Sequence, residues 1–162
     1  MAEFSLIADA FLGGFHKDYG TVVVTEVTDR AIASFALPLG GEAQAEKTIK
    51  SVLKLDLPSV GTAAQSEDGA TTLLRLGKDQ LFCLMDKQPD GHGAHRALSE
   101  KLAGTVYTTD QSDVWVSLTI RGPDSLRALE RICTIALHPG SFEVRSEEHT
   151  SELQSQFRIS YA

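Results

Sequence analysis

His92 and His95 stand in the run Gly91-His92-Gly93-Ala94-His95, with Cys83 and His138 elsewhere in the chain. Imidazole and thiolate are the donors of a zinc site, which needs four convergent ligands, or three and an open position. The loop supplies two, and no Cys-x-x-Cys run supports them, so a solvated loop is the simpler reading. Asp110 and Asp113 flank Gln111-Ser112 and would suit paired carboxylate chemistry. Their place just before a strand makes turn and capping roles simpler. Ser112 has no base at motif spacing and no Gly-x-Ser-x-Gly around it. Gly13-Gly14 and Gly40-Gly41 are isolated doublets, without Gly-x-Gly-x-x-Gly or a Walker lysine. No catalytic, cofactor-binding or metal-ligating set is therefore assigned: the site reading is none for each.

Trp115, the single tryptophan, is more informative. Val114, Val116, Leu118 and Ile120 alternate with Trp115, Ser117, Thr119 and Arg121, which predicts a half-buried strand over 114–121. One face is then apolar and Trp115 lies on the other. It either meets a second core layer or anchors a partner, where Trp is enriched.

The elements that must position these residues follow from local chemistry. Gly122-Pro123 ends the strand, because Pro has no N–H for the ladder. A helix follows, with Asp124 near its positive end and Leu126, Leu129, Ile132 and Cys133 inward, closing at His138-Pro139-Gly140. Upstream, TVVVTEV (21–27) and AIASFALPL (31–39) read as strands close enough to pair as a hairpin. Gly40-Gly41 releases the chain into a helix with Ala45, Ile49, Val52 and Leu53 inward, and Glu46 spaced to pair with Lys50. Residues 59–70 read as a surface loop. TTLLRL (71–76) and QLFCLM (80–85) form a hairpin about Gly77-Lys78-Asp79. A loop over 87–93, a short helix over 94–102 and a brief strand over 106–109 complete the body. Residues 1–14 are weakly specified, a helical turn or a packed arm. Hairpins mixed with helices predict an α+β fold with mixed or antiparallel sheets packed with helices.

The composition is that of an ordinary globule, 42% hydrophobic and 23% charged over 162 residues. A net charge of −7 argues against a nucleic-acid surface. No apolar run reaches the roughly 20 residues of a membrane span, and no secretory signal opens the chain. Cys83 and Cys133 read as buried free thiols, so a cytoplasmic protein is expected.

TDQSD before a Trp-bearing strand, then RGPDSLRALERIC and LHPGSF, resembles the γ subunits of heterotetrameric sarcosine oxidases. DYGTVVVTEVTDRAIASFALPLGG is similar to that family's N-terminal strands, and together the matches span most of residues 15–144. Ala136 departs from the pattern, which has an acidic residue before Leu-His-Pro, and marks a lost polar contact. The resemblance implies a fold similar to the folate-binding aminomethyltransferases. It implies a non-catalytic accessory subunit that packs on the large α subunit of a heterotetramer. That complex converts sarcosine, O2 and tetrahydrofolate to glycine, H2O2 and methylenetetrahydrofolate. FAD, FMN and NAD are held by the larger subunits, with no cofactor in this chain. The alternative is a stand-alone tetrahydrofolate-binding one-carbon transferase.

Residues 145–162 break the pattern. Arg145 to Ser155 resembles the in-frame translation of a sequencing adapter, and Ile159-Ser160-Tyr161-Ala162 matches its constant part beyond an index. The expectation is a γ-like domain over 1–144, incomplete at its C-terminus, and a disordered non-native tail over 145–162. The tail's Arg145 and Arg158 nearly offset Glu147, Glu148 and Glu152, so the acidic balance lies in the body.

Overall fold

Short runs of alternating apolar residues give more strand than helix among the described residues, and a stripe at helical spacing makes residues 42–53 a helix. The structure, a computed structural model, describes residues 9–86, 94–132, 147–149 and 158–160. In chain order the elements are β1 (His16–Asp18), β2 (Val23–Glu26), β3 (Arg30–Ala36), α1 (Glu42–Leu53), β4 (Ala63–Gln65), β5 (Thr71–Arg75) and β6 (Gln80–Asp86). They continue with α2 (Ala94–Leu102), β7 (Tyr107–Asp110), β8 (Leu118–Arg121), α3 (Ser125–Glu130), β9 (Glu147–His149) and β10 (Arg158–Ser160).

A five-stranded antiparallel sheet, in the order β4-β5-β6-β3-β7, carries the core. On its first face, register sets Ala33 opposite Cys83, Phe35 opposite Leu81 and Leu73 opposite Cys83. Ala45 and Ile49 of α1 and Leu98 and Leu102 of α2 bury into the same cluster. Each fully buried Leu, Ile or Phe in such a layer contributes about 1.5–3 kcal/mol. The small Ala31 and Ala33 in β3 leave room for Phe35 and the two helices. Cys83 is a free thiol in this layer, and burial pushes its pKa up to about 12, so it packs as a hydrophobe. Cys133 lies outside the described residues.

The expected hairpin of the two N-terminal strands does not form. β2 belongs to a separate three-stranded antiparallel sheet, β1-β2-β8, while β3 pairs with β6 and β7. Val27-Thr28-Asp29 is a step from one sheet to the other, and short spacing alone does not distinguish a step from a turn. The second hairpin does form, with Thr71 opposite Met85 and Arg75 opposite Leu81. The Arg75 guanidinium donates to the carbonyls of Pro58, Gly77 and Lys78 and fixes the turn to the loop before it. Within 59–70, expected as loop, Ala63–Gln65 adds an edge strand to β5. Lys50 pairs with Asp56, beyond the helix end, and Glu46 adds a weaker attraction.

The strand expected over 114–121 is shorter, and its faces are reversed over 114–119, while Ile120 is half-buried and Arg121 exposed as expected. Only Leu118–Arg121 is strand, and residues 112–114 form a turn. Val114, Val116 and Leu118 are 64%, 44% and 47% exposed, whereas Trp115 is partly buried. The helix after Gly122 is also shorter than expected. It stops at Glu130, with Leu126 and Leu129 half-buried and Ile132 exposed. β9 and β10 pair antiparallel with each other, in the stretch expected to be a structureless tail. Among the described residues no helix is long and apolar enough to cross a membrane.

Candidate functional site at the seam of the two sheets

Two connections run in opposite directions between the sheets, Val27–Asp29 outward from β2 and Gln111–Ser117 inward to β8. Hydrogen bonds lace them together. Gln111 N–H donates to the Ile32 carbonyl at 2.8 Å, and Val27 N–H donates to the Ser117 carbonyl at 2.8 Å. Ser112 Oγ accepts from Ile32 N–H at 3.1 Å and donates to the Ile32 carbonyl at 3.4 Å. Asp110 Oδ1 accepts from Ser112 N–H at 3.0 Å, the Asx turn that its position suggests. Asp113 is exposed and is not paired with Asp110 by any hydrogen bond among the described residues. Ser112 and Asp110 therefore hold backbone in place, where sequence left carboxylate chemistry open.

Trp115 closes the seam. Its ring meets Phe82 of β6 edge-on, with centroids 5.7 Å apart and planes at 65°. This covers the second face of the five-stranded sheet, opposite the helices, and such a pair contributes about 0.5–1.5 kcal/mol beyond area burial. Of the two roles weighed for Trp115, packing within the chain is the one its geometry shows.

The third wall is an arm, and here a residue unnoticed in the sequence matters most. Glu26 is buried at the end of β2. Its Oε1 accepts from Leu12 N–H at 3.0 Å, and its Oε2 accepts from Gly14 at 2.8 Å and Phe15 at 3.2 Å. Glu26 N–H in turn donates to the Phe15 carbonyl at 2.7 Å. Gly13 and Gly14 have φ of 66° and 73°, the left-handed conformation that turns successive N–H groups toward one anion. The glycine doublet is thus an anion cradle whose occupant is the chain's own carboxylate. These donors, Leu12 N–H foremost, hold the Glu26 carboxyl below its ordinary pKa against the opposing cost of desolvation. The available signal was a lone Glu in the valine-rich run 21–27, a charge where burial demands a partner.

Between arm, step and Trp115 lies a cleft of about 30 Å³, bordered by Phe11, Glu26, Arg30, Ser112, Asp113 and Trp115. Arg30 is held at its rim by Asp86 at 2.9 Å and by the Ala70 carbonyl at 3.0 Å. The residues weighed and set aside as metal donors do not gather here. His95 Nε2 lies 3.2 Å from the Thr108 carbonyl, Cys83 is in the opposite layer, and His92 and His138 lie outside the described residues.

The architecture is similar to that of a chain in heterotetrameric sarcosine oxidase from Corynebacterium sp. U-96, solved in complex with pyrrole 2-carboxylate. The TM-score is 0.66 at 22% identity, over 80% of this chain and 65% of that one. The two chains share a fold. This chain spans just under two thirds of the length of the one it matches. No family model matches the sequence, and no curated protein matches it.

Proposed function

We propose that this chain is a non-catalytic accessory subunit of a sarcosine-oxidising complex, packed on a large α subunit within a heterotetramer. The complex would convert sarcosine, O2 and tetrahydrofolate to glycine, H2O2 and methylenetetrahydrofolate, with FAD, FMN and NAD on other subunits. The fold likeness to a chain of a heterotetrameric sarcosine oxidase carries the reading. The sequence runs around Trp115 and Gly122 point the same way.

Two further observations support it. The polar residues nearest to chemistry are engaged in structure: Ser112 clamps Ile32, and Glu26 fills its own cradle. A pterin does not fit the Trp115 cleft, since its 30 Å³ falls far below the roughly 300–1,000 Å³ of small-molecule pockets. The outward row of Val114, Val116 and Leu118 is where we place the α-subunit contact, because apolar residues clustered at a surface mark interaction sites.

The test is co-expression with the α subunit and the other chains of the complex. The isolated chain should show no flavin bands and release no peroxide from sarcosine, and it should co-purify with α. Val116→Asp should leave the isolated chain folded while abolishing capture. Flavin retained by this chain alone, or undiminished capture by the variant, would sink the respective part of the proposal. Heat of tetrahydrofolate binding to the isolated chain would favour the one-carbon transferase reading instead.

A further inference from the structure

We propose that the seam cleft is a built site for an ordered water molecule that accepts the indole hydrogen of Trp115. Trp115 Nε1 is shielded from solvent and has no hydrogen-bond partner among the described residues. Buried donors in native proteins are paired with protein or ordered water, because an unmet one forfeits its full solvation. Trp115 also borders the cleft of about 30 Å³. One water needs about 10–15 Å³ on that measure, so one or two fit and nothing of drug size does.

The lining selects the ligand. Asp9, Glu26 and Asp113 are among the residues that border the cleft, with Ser112 and Ser117. An occupant must accept from the indole N–H and donate toward oxygen. Chloride accepts but cannot donate, and three of the bordering residues are acidic. Ammonium and metal cations cannot accept. Water does both, and a buried water ordinarily makes about three hydrogen bonds. Placed there, it joins three pieces of chain that meet only at this seam: the arm at Asp9–Phe11, the step after β2, and the Ser112–Ser117 connection.

Because the chain has one tryptophan, its indole Nε1–H gives one nitrogen-resolved proton signal in the full-length protein. That signal should show a direct cross-peak to water, with the sign of a long-lived bound molecule. A cross-peak to a protein proton in place of water would overturn the proposal, as would exchange as fast as that of free tryptophan. Trp115→Phe keeps the ring against Phe82 and removes the donor. High-resolution crystal structures of both forms should show solvent density in the wild-type cleft that is lost or displaced in the variant. Density unchanged in the variant would mean that the indole does not hold it. If the variant fails to fold, the wild-type signal still decides the matter.

Discussion

Single residues set the two tightest points of this structure. Glu26 supplies the charge that three backbone N–H groups of the arm converge upon. Its pKa is depressed in the folded state, so its contribution is complete above the unfolded pKa and is lost as pH falls through the folded one. Glu26→Gln should therefore lower the unfolding midpoint at neutral pH, and the gap to wild type should close in acid. Melting curves across that range check this, and a gap independent of pH would assign the effect to packing alone. Gly122 is constrained by space as well as conformation. It has φ of 124°, and an added Cβ would lie 2.3 Å from the Thr21 carbonyl oxygen. Gly122→Ala should cost about 3 kcal/mol or more, read from denaturant midpoints. A near-neutral result would mean that the β8–α3 corner is not held against β2.

Elements were legible where their own residues decide them. α1 formed as its stripe of Ala45, Ile49, Val52 and Leu53 requires, and β5 and β6 paired about Gly77. The segment before β8 was not legible, because its alternation is real but belongs to no continuous strand. A turn at Ser112–Val114 leads into it, and Phe82, more than thirty positions earlier, decides which way Trp115 points. The pairing of β2 with β8 is likewise invisible locally, since nothing in Val23–Glu26 names its partner. Nor did the sequence reveal the cradle, because Gly13-Gly14 and Glu26 carry meaning only together. The end of α1 yields a prediction of its own. Lys54 closes it in the left-handed conformation at φ 58°, which glycine adopts without a Cβ penalty. Lys54→Gly should stabilise the chain by about 0.5–1 kcal/mol and raise the thermal midpoint. A lower midpoint would show that the lysine stem packs usefully enough to outweigh its backbone.

For the molecule as a whole, the order of strands in space departs from their order in the chain. β3 lies between β6 and β7, and β2 borders β8 as well as β1, so two early strands have late partners. On a ribosome this becomes a matter of timing. β3 must wait unpaired, and β2 with only β1 beside it, while the β5–β6 hairpin can close as soon as it is made. Non-local pairings of this kind slow folding, and they leave apolar strands open to wrong neighbours in the interval. Pulsed hydrogen exchange during refolding should find β5 and β6 amides protected first and those bridging β2 and β8 last. Simultaneous protection of all strands would refute that sequence of events. The seam that joins the two sheets is then the last part of the molecule to exist. A nascent chain released or cut before β7 is made would hold Ala31, Ala33 and Phe35 in a partial sheet with neither β7 nor the Trp115 cover, a natural client for a chaperone.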